Sequence, residues 1–124
     1  MFGHIKIDPA DRVFSEFIRL RDKQCVRCGR RGTGPKGIIG LQASHYFGRA
    51  NRSTRFDSEN CDALCMGCHQ MWGSTDREGY RAFKVKQLGE WGFQRLIVRS
   101  NLIQKKDKKM ELIVAKELLK SLNK

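Results

Sequence analysis

Apolar residues recur at helical spacing on both flanks of a central stretch that has little such periodicity. Val13, Phe17 and Leu20 stand at i, i+4 and i+7 with Phe14 and Ile18 alongside, which predicts a helix ending near Asp22. Asp8-Pro9-Ala10-Asp11 starts it, with Asp as N-cap and Pro in the first helical position. Ile38 to Phe47 reads as a strand, and a second short strand lies near Asn60 to Leu64. Met66 to Trp72 then opens a short helix with Cys68 and His69 in its first turn. Thr75-Asp76-Arg77-Glu78 is a capping-box sequence, so a helix is expected from Asp76 to about Leu88, stopped by Gly89. Tyr80, Phe83 and Leu88 would face its core side. A further helix from Glu90 to Asn101 would turn Trp91, Phe93, Leu96 and Ile97 inward. Asp107 to Asn123 carries Leu112, Ala115, Leu119 and Leu122 on one stripe, flanked by Val114 and Leu118.

The central stretch is organised by cysteine instead. Cys25-Val26-Arg27-Cys28 and Cys65-Met66-Gly67-Cys68 are two CxxC pairs. One such pair is shared with redox proteins, but two can complete a tetrahedral thiolate site. Cys25, Cys28, Cys65 and Cys68 are therefore assigned to structural Zn²⁺. Five glycines and Pro35 between Cys25 and Gly40 make a knuckle followed by a loop. Large apolar side chains are sparse from Cys25 to Trp72, so this segment needs its metal to fold. In isolated finger peptides a zinc ion contributes about 10–16 kcal/mol. Cys61, the fifth cysteine, is expected on the inner face of a strand as a small buried hydrophobe.

Charge narrows the partner. Lys and Arg exceed Asp and Glu by 25 to 13, a net +12, which implies a polyanion. No apolar run approaches the ~18 residues of a membrane span. Met1-Phe2-Gly3-His4-Ile5-Lys6 lacks the apolar core of a secretory signal. The expected partner is DNA and not a membrane, and the expected compartment is cytoplasmic, that of a bacterial host if the chain is phage-encoded. Arg27, Arg30, Arg31 and Lys36 cluster on the knuckle without an acid among them. Gly48 to Phe56 likewise holds Arg49, Arg52 and Arg55 and no acid. Arginine forks grip phosphate oxygens, so these are the candidate DNA contacts.

Ser44-His45, Asn60 and Leu64-Cys65-x-x-Cys68-His69 stand in an order and spacing that resembles the HNH endonucleases, a ββα-metal (His-Me finger) family. Ser44-His45-Tyr46-Phe47-Gly48-Arg49 and the helical tail further resemble phage HNH proteins of the NinG recombination-nuclease type. The resemblance implies a small α+β fold: a zinc-stabilised ββα-metal core with an N-terminal helix and C-terminal helices. It implies His45 as general base, Asn60 as the brace of the loop, and His69 as ligand of a catalytic Mg²⁺ or Mn²⁺. Arg49, nearest His45, is the first candidate to stabilise charge on the reacting phosphate. Many HNH proteins carry Asp before the first His, as a second metal ligand; here it is Ser44. The remaining coordination would then come from waters, phosphate, or another carboxylate such as Asp57, Asp62 or Asp76.

These readings converge on a metal-dependent DNA endonuclease, a phosphodiester hydrolase of phage type working in DNA recombination. Branched or double-stranded DNA would be cut with low sequence specificity, since no base-reading element is evident. The alternative is a non-catalytic zinc-knuckle DNA-binding protein with His45 a satisfied core histidine. A third arrangement makes His45 or His69 a zinc ligand in place of a cysteine. Residues 1–101 are expected to form the nuclease domain and 102–124 a basic amphipathic helix. Three uses are open to that helix: packing on the domain, pairing with a second copy as a homodimer, or lying along DNA.

Overall fold

Asp8 accepts a hydrogen bond from the Ala10 N–H at 2.9 Å, and Pro9 takes the first helical position, so helix α1 (Pro9–Asp22) starts where its capping residues dictate. Lys23 ends it in the left-handed region, φ 60°, with its N–H on the Arg19 carbonyl at 2.8 Å. Ala10, Phe14, Phe17 and Ile18 form its buried face. These observations come from a computed structural model, which describes residues 7–123. The reading of residues 1–6 as lacking a secretory signal, and the last lysine of the tail, lie outside them.

Strands β1 (Leu41–His45) and β2 (Cys61–Cys65) pair antiparallel, with Leu41 opposite Cys65, Ser44 opposite Asp62 and His45 opposite Cys61. A lone two-stranded hairpin is marginal in water. This one is covered on both sides, and every residue of β2 is buried. Side chains alternate across it. His45 looks toward α1, its ring 6.1 Å from that of Phe14. Asp62 looks the other way, toward α3. The end of α1 is fastened to the hairpin by its own side chains. Asp22 accepts from the Ala63 N–H at 2.8 Å, and Arg21 donates to the carbonyls of Ser58 (2.8 Å) and Cys61 (2.7 Å).

Helix α2 (Met66–Gln70) follows β2 directly and is continued by a wide π-helical turn, Met71–Thr75. Asp76 then caps α3 (Arg77–Ser100), accepting from the Gly79 N–H at 2.9 Å. A Cβ on Gly79 would come within 2.1 Å of that carboxylate, so a larger residue there would make the Asp76 side chain shift. The cap is thus Asp76 alone, not a capping box opened by Thr75. The two helices expected on either side of Gly89 are both present within α3 and meet at a kink where Gly89 adopts φ 77°, ψ 164°. Helix α4 (Lys108–Ser121) is capped by Asp107.

The expected long strand from Ile38 is shorter because Ile39 pairs instead with Thr33, and Gly40 turns the chain at φ 91°. Trp91, expected in the core, is 78% exposed; Phe93 and Leu96 of the same helix are the buried pair. Tyr80, as expected, is fully buried, stacked on Trp72 at 4.8 Å between ring centroids. α4 packs along α1, with Ala115 fully buried in the same core as Phe14, Phe17 and Ile18. The result is a small α+β fold of four helices and one two-stranded sheet among the described residues.

Candidate metal centre and active site

The knuckle turn brings Cys25 and Cys28 to the end of the hairpin where β2 passes into α2. There the Sγ atoms of Cys25, Cys28, Cys65 and Cys68 all lie within 4.8 Å of one another. Zn–S bonds of about 2.3 Å in a tetrahedron place sulfurs about 3.8 Å apart. Cys28 and Cys65 are at 3.8 Å. The four cysteines are positioned to bind a structural metal such as zinc, and neither histidine joins them. Burial raises the Cys25 thiol, but backbone N–H groups of Cys28, Cys65 and Arg27 outweigh it and bring the pKa to about 7. Arg27 donates from Nη1 to the Cys68 Sγ at 3.3 Å while its guanidinium lies 5.9 Å from the Trp72 ring centroid. A tetrathiolate zinc site carries two net negative charges, so a cation on one sulfur suits the donor set. Arg30 and Arg31 beside it are exposed. Cys61 is fully buried and outside the cluster, as a strand hydrophobe.

His45 ends β1. Its Nε2 lies 2.9 Å from the Arg55 carbonyl oxygen. A carbonyl can only accept, so Nε2 carries the proton and Nδ1 holds the free lone pair. Burial pushes the imidazole pKa below its ordinary 6.5, and the charge of Arg49 adds to this; the Arg55 carbonyl and Asp11 oppose it without reversing it. His45 is therefore a neutral imidazole of fixed tautomer.

Asn60 is completely buried and ties down the loop that follows His45. Its Oδ1 accepts from the Phe47 N–H at 2.9 Å, and its Nδ2 donates to the carbonyls of Phe47 (3.0 Å) and Thr54 (3.1 Å). The loop carrying three arginines is thus closed at both ends by one side-chain amide.

Those arginines differ in what holds them. Arg49 is 58% exposed and donates to Asp11 of α1 at 2.8 Å. Arg55 binds the same carboxylate through Nε at 3.0 Å and through Nη2. Arg52 is turned away, in an ion pair with Glu111 of α4. His45, Arg49, Arg55 and Asp11 line one cleft of about 1190 Å³; Arg52 and His69 are not in its lining.

His69, on α2, is half-buried, and its Nδ1 is buried with no hydrogen-bond partner. Burial lowers its pKa, keeping a lone pair available. An orphaned imidazole nitrogen fits a ligand role. The carboxylates weighed as its companions do not. Asp57 holds Arg99 at 2.6 Å, Asp76 caps α3, and Asp62 lies fully buried among Tyr80, Lys84 and Gln87. Ser44, opposite Asp62 in the pairing, is buried on the same face of the hairpin.

Two participants escaped the sequence. Asp11 reads as a helix-start acid, yet it is the shared counterion of Arg49 and Arg55. Three arginines in an acid-free loop were the signal that a distant carboxylate had to meet them. The Asp62–Lys84 pair gave no signal, because nothing local distinguishes a buried lysine from a surface one.

The family model described as Bacteriophage Lambda NinG protein matches residues 4–124. The chain belongs to the NinG family. No curated protein and no solved structure matches it. NinG membership spans the knuckle, the hairpin and all four helices, α4 included. No helix among the described residues is long and apolar enough to cross a membrane.

Proposed function

We propose that this NinG-family chain is a metal-dependent DNA endonuclease of the HNH type, acting on phage DNA in recombination. The observation that carries the reading is His45: a half-buried, neutral imidazole with Nε2–H fixed on the Arg55 carbonyl, set in a cleft beside Arg49. Nδ1 would take a proton from a water that attacks phosphorus, as the P–O bond to the leaving 3′ oxygen breaks and that oxygen takes a proton from solvent. The imidazolium so formed keeps its Nε2–H bond, feels the nearby Asp11 carboxylate, and returns the proton to solvent. Arg49 would meet the negative charge that grows on the phosphoryl oxygens. Asn60 keeps the Arg49 loop in place. His69 would hold the divalent cation, Mg²⁺ or Mn²⁺, whose chemistry is that of a Lewis acid and template for the phosphate. The order hairpin then helix, with a base at the end of β1 and an imidazole on α2, supports a ββα-metal core.

Supercoiled plasmid incubated with Mg²⁺ or Mn²⁺ tests this. His45→Ala should cut at least ~10²-fold more slowly while keeping its zinc. Undiminished cutting by His45→Ala would sink the assignment. With one imidazole, and with Asp57, Asp62 and Asp76 all engaged elsewhere, Mn²⁺ should act at lower concentration than Mg²⁺. The internal engagement of Asp57, Asp62 and Asp76 favours a second reading, a zinc-knuckle DNA-binding protein without catalysis. Wild-type protein that binds DNA but cuts none with either cation would establish it.

A further inference from the structure

The cleft beside His45 continues well past the residues the reaction needs. α1 contributes Arg12 and Arg19 to its wall, and the far side is formed by Lys106 and Lys108, where the segment after α3 enters α4. None of these four is in an ion pair with a described residue. The acids in the lining are Asp8 and Asp11, and both are engaged: Asp8 caps α1, and Asp11 is shared by two arginines. Uncompensated charge in the cleft is therefore cationic. Small-molecule sites are mostly apolar, with a few convergent polar groups. A large open cleft rimmed by separate cations suits an extended polyanion instead.

We infer that this cleft is the track for the DNA backbone leading away from the cut, with Arg12, Arg19, Lys106 and Lys108 on its phosphates. The basic segment ahead of α4 would thus contact DNA from a position fixed by the docking of α4 on α1. The identity of the polyanion rests on the nuclease reading, so the test reads binding apart from cleavage.

The probe is a fluorescein-labelled 20-bp duplex without divalent cation, its anisotropy titrated at several NaCl concentrations. The test variant is Arg12→Gln/Arg19→Gln/Lys106→Gln/Lys108→Gln. The control removes equal charge from exposed positions outside the cleft, Lys86→Gln/Arg95→Gln/Lys116→Gln/Lys120→Gln. Zinc content and circular dichroism confirm that both fold. The test variant should bind at least about tenfold more weakly, with a log K against log salt slope shallower by about 2–4, since each lost phosphate contact removes ~0.9. The control should stay near wild type. A test variant with wild-type slope, or with no greater loss than the control, overturns the inference and leaves the nuclease reading standing. Wild-type protein that binds with the expected slope but never cuts overturns the nuclease reading and leaves the cleft.

Discussion

His45 is held by one backbone carbonyl and partly shielded from water, and both have a measurable consequence. A general base works only when unprotonated. Because burial lowers its pKa, the base form persists to lower pH than in a free imidazole. The acidic limb of a pH–rate profile should therefore have its midpoint below 6.5, the ordinary value, rather than at it. The same shift costs stability on the acid side. Between 6.5 and its lower folded value, the unfolded chain binds a proton at this residue that the folded chain refuses. Stability should fall as pH drops through that window, and His45→Gln should flatten the fall in a series of denaturant titrations. Cys61 offers a contrast. It is buried but outside the sulfur cluster, so Cys61→Ser should keep a full complement of zinc, measured by metal analysis, while Cys65→Ser loses it.

At the scale of elements, the hairpin depends on what lies behind it. Asp62 on β2 and Lys84 on α3 are both fully buried and meet at 3.0 Å, with Tyr80 and Gln87 completing the carboxylate's hydrogen bonds. Removing one partner strands the other charge, at a cost of about 3–5 kcal/mol. Lys84→Met should accordingly lower Tm by roughly 10–20 °C. Lys84→Met/Asp62→Leu should recover most of that in the same melting experiment, since a matched apolar pair leaves no buried charge. A double variant no more stable than the single would mean that packing, not charge, dominates there. This pair also marks the limit of reading the sequence. Caps, CxxC spacing and glycine stops are local signals, so α1, the knuckle, the break at Gly89 and α4 were legible. The partners of the site's charges were not. Asp11 with Arg49 and Arg55, Arg52 with Glu111, and Asp62 with Lys84 all join residues that only the tertiary fold brings together. Trp91 was misplaced for a related reason, since helical spacing gives a stripe without saying which stripe is covered.

For the whole molecule, the four-cysteine cluster and the packing of α4 on α1 divide the work of holding a small core. The four cysteines tie the knuckle to the β2–α2 junction, and Arg27 extends that tie to Trp72. Stripping zinc with a chelator should abolish the near-ultraviolet dichroism of the packed aromatics, and re-adding zinc should restore it; an unchanged spectrum would show that the core stands without metal. The docking of α4 on α1 has a different consequence, one of timing. These are the first and last helices of the described chain, and their contact cannot form until nearly all of it has left the ribosome. Contacts between distant segments close late, because the loop entropy must be met first. A nascent chain halted before Lys108 would leave uncovered the part of α1 on which α4 packs, with Glu111 not yet present to meet Arg52. The same docking brings Lys106 and Lys108 into one cleft with Arg12 and Arg19, so the basic cleft is assembled only once α4 has docked on α1, and a chain without α4 has no such groove to offer.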